Sequence, residues 1–525
     1  LGIANGVKMG TMHKIAAIDA GSNALRMIVG TINETGGVEA IENIRLPVRL
    51  GRDAFTSGHL REVTLQQAVD AFLHFRRVAD DFGVMNIRAI ATSALREASN
   101  SDILLDRILR TSGIEVEIIS GEEEARLIHL AVERAIDLKN KRAVLIDIGG
   151  GSVEVTISQN KRIVSTESYG LGTVRLLNKL ENGGDEKRFF FSASKQPFSL
   201  LVREYAEAAR RRIDREIGKE KIHLCIGTGG NVEEMGRLSQ RLFKKSSDKS
   251  ITLSELQELI EKLSRMSVKD RINKLKLRPD RADVILPAAI VLQLIATEAK
   301  ARRILIPDVG LKDGLLIEMA EELARGPKKL RREQVWESAV RLGDKYQFDS
   351  NHAALTAKLA GQLFDQSRSL HNLNDEHKLL LQVGSLLHDI GHFINTLEHD
   401  KHGYYILKNN PLIGLNDDQR EIVANLIRYH RRAFPSLEDE NFKALPQKDR
   451  VTVTKLSALL RLADGMDVSH TARVVRVALK EKKKNWELVL YGKGDLMLEK
   501  WALNKRRALF EEIFGVGLEI SDKKS

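Results

Sequence analysis

Cysteine is almost absent from this chain: Cys225 is the single one in 525 residues. An internal disulfide and a cysteine-built zinc cage are thereby excluded, and the usage suits a reducing cytoplasm. Cys225 itself reads as a small buried hydrophobe. Aromatic residues make up only 5%, which leaves few platforms on which single-stranded bases could stack. Long apolar runs are missing as well. A membrane span needs about 18 apolar residues, and the most apolar stretch, Val284 to Ala296, is shorter and interrupted by Pro287. The first fourteen residues lack a charged start leading into an apolar core, so no secretory signal is expected.

What the chain does have is basic charge. Lysine and arginine number 83 against 72 acidic residues, a formal net charge of +11, which points to a polyanionic partner. Nucleic acid is disfavoured by the shortage of aromatics, whereas inorganic polyphosphate needs charge without stacking. Hydrophobic content of 42% and charged content of 30% are those of a soluble globular protein. The length exceeds a single core and predicts about three to four domains.

The stretch Ala143 to Ile157, AVLIDIGGGSVEVTI, reads as strand, tight turn and strand. Gly149, Gly150 and Gly151 strip the turn of side chains, so successive backbone N–H groups can converge on an oxyanion. Ser152 closes the turn, and Asp147 and Glu154 bracket it, placed to hold the divalent cation that a phosphate ligand brings. Ala17 to Val29, AIDAGSNALRMIV, repeats the design: Asp19 matches Asp147, Gly21 matches Gly149, Ser22 and Asn23 complete the turn, and Leu25 to Val29 is the return strand. Two such halves predict a duplicated α/β domain with phosphate in the cleft between them. A third turn, with Gly229 and Gly230, follows the apolar run Ile222 to Ile226 and forms a further wall.

Thr64 to Phe82 has the spacing of an amphipathic helix, and Leu46 to Gly58 reads as a charged loop. Ile87 to Ala91 is a strand entering Thr92-Ser93-Ala94-Leu95-Arg96, hydroxyls at a helix mouth with an arginine one turn in, which suit an anion or an ordinary cap. After the strand Ile114 to Ile119, Ser120 and Glu123 fit a capping box. Tyr169 to Arg175 reads as a loop, and Arg210 to Arg212 as a solvated face. Gly326-Pro327 and the lysines and arginines behind it have linker composition.

IDAGSNALR, ATSALREA, ISGEEEARLI, VLIDIGGGSVE, GTGGN and LKDGLL resemble, in this order, the motifs of the exopolyphosphatase and guanosine pentaphosphate phosphatase family. The resemblance covers residues 15 to about 320. It implies an actin-like, ribonuclease H-like ATPase fold of two lobes, 1–130 and 131–325. It also implies that Glu124 is the general base and that Arg96 contacts a terminal phosphate. Mg²⁺ (or Mn²⁺) is the expected cofactor.

Histidine density changes beyond the linker: eight of the fourteen histidines lie between His352 and His430. The pattern there is helical. His352, the pair His388-Asp389 and the distant Asp464 stand on separate helices and can converge on one divalent ion. This set resembles that of the HD phosphohydrolase superfamily and implies an all-α domain over 326–472 that holds a second divalent ion. His402 and His430 match places where binuclear relatives carry further ligands, though a scaffold role is favoured for both. His392 reads equally as a phosphate contact or a surface residue. Val474 to Lys480 and Trp486 to Tyr491 form a hairpin, followed by a helix from Leu496 to Phe514 and a strand near Leu518, a small α+β domain over 473–525.

These readings predict a cytoplasmic, homodimeric exopolyphosphatase, metal-dependent and processive, that releases orthophosphate from the end of inorganic polyphosphate. Hydrolysis of guanosine pentaphosphate to tetraphosphate is the nearest alternative. An actin-fold kinase and a non-enzymatic polyphosphate or alarmone sensor with a separate HD phosphohydrolase site are further ones. No membrane partner is expected.

Overall fold

Small and branched side chains in KIAAIDA and LRMIVGTI make the first acidic turn the tip of an antiparallel pair, β1 (Lys14–Ala20) and β2 (Leu25–Ile32), with Asp19 opposite Arg26. In this computed structural model, which describes residues 13–33, 37–181, 198–482 and 485–524, the pair belongs to a five-stranded sheet. Its other members are β3 (Val38–Leu46), β4 (Asn86–Ala91) and β5 (Val116–Ile118), in the order β3-β2-β1-β4-β5. The β1–β4 and β4–β5 pairings are parallel.

The same wiring recurs with the second turn. There β6 (Arg142–Ile148), β7 (Val153–Gln159), β8 (Arg162–Tyr169), β9 (Leu224–Thr228), β10 (Ser250–Thr252) and β11 (Arg303–Leu305) lie in the order β10-β11-β9-β6-β7-β8. Within this sheet β6 pairs antiparallel with β7 and parallel with β9, and Asp147 stands opposite Glu154. The repeat is therefore one of topology as well as of motif. In open α/β sheets a ligand binds beyond the carboxyl ends of the strands where strand order reverses, and both acidic turns sit at such a point.

Helices Gly121–Ala135 and Leu311–Arg325 supply the core that the two sheets share. Leu127, Ile128 and Leu315 pack with Ile15 and Ala17 of β1 and with Leu145 of β6. Gly314 permits this crossing, because a Cβ there would fall on the carbonyl of Leu127. The boundary expected at 130/131 lies inside the first of these helices.

Leu46 to Gly58 is not the loop expected. Leu50–Ser57 is a helix whose Leu50 and Ala54 are buried, and the charges that disguised it are used: buried Asp53 accepts hydrogen bonds from Arg61 N (3.1 Å) and Thr64 Oγ1 (2.6 Å). The linker at Gly326 is a one-residue break, with φ +85°, between Leu311–Arg325 and a helix beginning at Pro327. The four segments expected from the sequence form two compact units that divide between Gly326 and Pro327.

In the second unit, helices Ser350–Gln366, Asp375–Leu387, Asp417–Tyr429 and Gln447–Gly465 share one core with β12 (Val474–Glu481), β13 (Asn485–Gly492) and β14 (Gly517–Lys524). The helix expected from Leu496 to Phe514 is two, Met497–Arg506 and Ala508–Phe514. Arg507, at the break, donates from Nη1 to the Leu518 carbonyl (2.7 Å) and ties it to β14. Among the described residues no helix is long and apolar enough to cross a membrane. Residues 182–197, part of the stretch from Leu180 to Asn231 in which the sequence predicts basic helices, lie outside the described residues.

Candidate functional site

The turns after β1 and β6 approach each other: a Cβ on Gly150 would meet Ser22 Cβ at 2.9 Å. Between and around them lies a cavity of about 100 Å³. Asp19, Gly21, Ser22 and Asn23 form one side, and Asp147, Gly149 and Gly150 another. Gly229 and Gly230 close it from the start of helix Gly230–Phe243, Thr92 and Ser93 from the end of β4, and Glu124 from the first turn of its helix. Gly229 has φ +94°, and a Cβ there would meet the Ile148 carbonyl at 2.7 Å, so the third turn requires glycine.

Gly151, Ser152, Glu154 and Arg96 are not in the cavity wall. Gly151 is bare for a packing reason: a side chain there would fall on Phe55 and Ser93 Oγ. Arg175 Nε donates to its carbonyl at 2.7 Å. Tyr169 to Arg175 is accordingly more than a loop. It runs into helix Thr173–Glu181, whose Thr173 N and Val174 N donate to the Gly149 and Gly150 carbonyls (3.1 and 2.8 Å), bracing the glycine turn from behind. Ser152 O accepts from Gly149 N (3.1 Å) and closes the turn. Arg96 sits at the edge, its Nη2 4.0 Å from Glu124 Oε2 and its Nη1 donating to the Ile119 carbonyl.

Glu124 reaches the cavity because the helix entry is capped. Ser120 Oγ accepts from Glu123 N at 3.2 Å, but the Glu123 carboxylate turns to Arg126 (2.9 and 2.6 Å), so only half of the expected capping box forms. Glu124 then meets Asp147 and Glu154 with one oxygen of each inside 4.8 Å of the others. Burial, then repulsion from Glu154 and Asp147, holds Glu124 well above the usual carboxylate range. Burial pushes Glu154 up to about 7 and Asp147 to about 6, the latter despite a 2.6 Å hydrogen bond from Thr228 Oγ1. Glu124 Oε2, Glu154 Oε2 and Asp19 Oδ1 are buried without hydrogen-bond partners. The grouped oxygens of Glu124, Asp147 and Glu154 are hard donors, with Glu124 and Glu154 each keeping one unsatisfied, and they fit a divalent cation such as Mg²⁺.

The facing wall is cationic. Arg26, Arg45, Arg281 and Lys312 line the cavity; Arg26 and Lys312 stand within the motifs IDAGSNALR and LKDGLL, though the resemblance assigns neither a role, and Arg45 and Arg281 stand in none. Burial, with Arg26 and Arg45 close by, lowers Arg281 to about 9, and its Nη1 donates to Asn231 Oδ1 (3.1 Å). Arg26 had a signal, since period-2 alternation in Leu25-Arg26-Met27 sets it across from Asp19. Arg45 and Arg281 stand far from any motif. Together the walls offer anion-binding donors opposite an acidic cluster, an arrangement suited to a phosphoryl group escorted by a metal ion.

In the second unit His352, His388 and Asp464 also converge. His352 Nε2 lies 3.2 Å from His388 Nε2 and 3.7 Å from Asp464 Oδ1, and Asp389 Oδ2 is 3.4 Å from His388 Nε2. His430 joins them, its Nε2 3.5 Å from Asp389 Oδ1. His392 Nε2 is 3.6 Å from the same oxygen. His402 does not join this cluster, and His399, three residues earlier, does. The reason is local packing: a Cβ on Gly391 would fall on the His399 carbonyl, so the helix His399–Lys408 docks with its first turn inward.

Comparison with known proteins agrees with this architecture. The model of the Ppx/GppA phosphatase family matches residues 29–323, and that of Ppx/GppA phosphatase domain III matches residues 335–507. The chain is 26% identical over 458 residues, 86% of each chain, to the guanosine-5'-triphosphate,3'-diphosphate pyrophosphatase of Vibrio parahaemolyticus. It is 26% identical over 454 residues, 85% of each chain, to that of Photobacterium profundum. An exopolyphosphatase from Cytophaga hutchinsonii shares the fold with a TM-score of 0.54 at 24% identity, covering 59% of this chain and 98% of that one. The Ppx/GppA family member from Aquifex aeolicus does so at 0.50 and 22%, covering 59% and 99%. The first unit thus has the actin-like two-lobed fold, and the chain belongs to the Ppx/GppA phosphatase family, hydrolases of phosphoric anhydride bonds.

Proposed function

We propose that the chain is an exopolyphosphatase that removes the terminal phosphate of inorganic polyphosphate as orthophosphate. The observation that carries this reading is the carboxylate cluster of Glu124, Asp147 and Glu154 at a cavity that Arg26, Arg45, Arg281 and Lys312 line together with bare glycine turns. The terminal phosphoryl lies between the turns at Gly21 to Asn23 and Gly149 to Ser152, with Gly229 and Gly230 beside it. Backbone N–H groups and the cationic wall bear its charge. A divalent cation, Mg²⁺ or Mn²⁺, held by Asp147 and Glu154 with Asp19 near, would neutralise charge on the phosphoryl oxygens when bound.

Glu124 accepts a proton from the attacking water, whose oxygen forms the new bond to phosphorus while the bridging oxygen leaves with the shortened chain. Arg96, 4.0 Å from Glu124, offsets part of the rise that burial and the neighbouring carboxylates give this carboxyl, which leaves Glu124 a stronger base than an exposed glutamate. No side chain need become phosphorylated. The net charge of +11 favours retention of the shortened chain and hence processive cleavage.

A second reading, removal of the terminal phosphate of guanosine pentaphosphate by the same residues, is favoured by the names of the curated relatives. Phosphate release by the full chain offered long polyphosphate and guanosine pentaphosphate in parallel, with Mg²⁺, separates the two. The first reading fails if the nucleotide alone is hydrolysed. Processivity fails if intermediate lengths accumulate while long chain is in excess.

A further inference from the structure

We infer that Arg175 is a positioning residue for phosphoryl transfer: from outside the cavity it fixes the last peptide of the glycine turn and ties that turn to the helix that carries Arg96. The inference rests on the reading of the cavity as the phosphoryl site. Arg175 is not in the cavity wall. Its guanidinium makes three contacts at once. Nε donates to the Gly151 carbonyl (2.7 Å), Nη1 donates to Glu97 Oε2 (2.9 Å) while Nη2 binds Oε1, and the group lies 4.3 Å from the centre of the Phe55 ring. Gly172 allows the approach, because a Cβ there would fall on the Gly151 backbone.

The three carbonyls of the turn are all taken from the same side. Gly149 O accepts from Thr173 N (3.1 Å), Gly150 O from Val174 N (2.8 Å) and Arg175 N (3.1 Å), and Gly151 O from Arg175 Nε. In a planar trans peptide the N–H points opposite to the C=O that precedes it. The N–H groups of Gly150, Gly151 and Ser152 are therefore all turned away from helix Thr173–Glu181, and none has an acceptor among the described residues. Successive amides aimed to one side without an acceptor are what an oxyanion nest consists of. Main-chain donors hold the first two carbonyls and would do so whatever the side chains. The third depends on one side chain, that of Arg175.

The other end of the guanidinium crosses to the first lobe. Glu97 closes helix Ser93–Glu97 directly after Arg96, and Ser93, at the start of that helix, lines the cavity and hydrogen-bonds Ser22 (Oγ to Oγ, 3.1 Å). One side chain thus sets the glycine turn of the second lobe against the hydroxyl-and-arginine segment of the first. A planar fork can satisfy a carboxylate and a carbonyl together, whereas a lysine ammonium on its flexible stem cannot. The Arg175 side chain is 14% exposed and that of Glu97 44%, so the pair lies at a rim that a small solute cation can enter.

The test measures phosphate release by the full chain with Mg²⁺. Arg175→Ala should lower kcat roughly 10²-fold, as the loss of one oriented donor does, and leave KM within about threefold, since Arg175 meets no substrate atom. Guanidinium chloride at millimolar, non-denaturing concentration should restore kcat by about tenfold or more by filling the vacated place, and sodium chloride at equal ionic strength should restore nothing. In Arg175→Ala combined with Glu97→Ala the rescue should vanish, because the carboxylate that seats the ion is gone. Arg175→Lys should show the same loss of kcat at unchanged KM, and it decides the matter if the alanine variant does not fold. A folded Arg175→Ala that guanidinium does not rescue, a rise in KM alone, or wild-type kcat in Arg175→Lys would overturn the inference. Polyphosphate and guanosine pentaphosphate are offered in parallel. A wild type that hydrolyses the nucleotide alone ends the polyphosphate reading, while the Arg175 series is still read on the nucleotide.

Discussion

The two units bury clusters of carboxylates and treat them in opposite ways. In the first, Glu124, Asp147 and Glu154 lie together, and burial drives all three upward, helped by repulsion from neighbouring carboxylates: Glu154 and Asp147 on Glu124, Asp147 on Glu154, and Asp19 and Glu233 on Asp147. In the second, burial also pushes Asp389 and Asp464 up, but His388, His392 and His430 around the one and Arg506 and His388 beside the other more than offset it. The first cluster lacks cationic partners among its own ligands, which suits a hard ion carried in with an anionic substrate. The second is partnered from within, by the Arg506 guanidinium on Asp464 and by histidine rings around Asp389.

The deepest cut at this contrast is Glu124→Gln. It removes the proposed base and one of the three clustered carboxyls while keeping shape. Phosphate release should fall roughly 10²- to 10⁴-fold, while polyphosphate binding, measured by retention on a labelled chain, stays within about threefold. Retained turnover would remove Glu124 from the mechanism.

Metal demand comes next. Glu154→Gln should raise the Mg²⁺ needed for half-maximal phosphate release by roughly tenfold or more, since one of two strong ligands is lost. In the wild type, protons compete with the cation for Glu154, at about 7, and Asp147, at about 6. The Mg²⁺ requirement should therefore rise as pH falls from about 8 to about 6, by up to tenfold per unit. A requirement that is flat with pH would show that these carboxyls do not hold the ion.

How much of this was legible in the sequence depended on distance along the chain. The two acidic turns were legible because strand, acid, glycines and return strand are contiguous, and a Cβ-free turn leaves a local signature. Glu124 was legible only through resemblance, because its neighbour Glu123 satisfies the same capping pattern. Arg45 and Arg281 were not legible: they reach the cavity by tertiary folding from segments with no motif. The helix Leu50–Ser57 was hidden because its charges serve other elements, Asp53 taking Arg61 and Thr64. His399 was missed in favour of His402 because a contact between Gly391 and the His399 backbone, invisible to spacing, sets which turn faces inward.

A smaller effect tests whether the lobes of the first unit act as one body. Gly314→Ala forces a Cβ onto the Leu127 carbonyl, where helix Leu311–Arg325 crosses helix Gly121–Ala135. Backbone cannot move aside as a flexible side chain would, so the substitution should cost about 1–3 kcal/mol in a denaturant titration. Because the second of these helices carries Glu124, phosphate release should fall as well. A neutral Gly314→Ala would mean that the crossing is looser than the geometry requires.

The smallest effect concerns the carboxylate cluster without its cation, and its sign is opposite to that of most acidic residues. A carboxyl whose pKa is higher in the folded than in the unfolded chain binds more protons when folded between the two values, so stability rises as pH falls through that window. For Glu154 and Asp147 the window runs from about 7 down to the ordinary carboxylate range. Chelator-treated protein should therefore show more protection of first-unit backbone amides at about pH 6 than at about pH 8, once hydrogen-exchange rates are corrected for intrinsic pH dependence. Saturating Mg²⁺ should reverse the order, since the ion binds the ionised forms that the proton displaces. Protection that follows one order with and without Mg²⁺ would detach the raised carboxyls from cation binding and erase the contrast with the second unit.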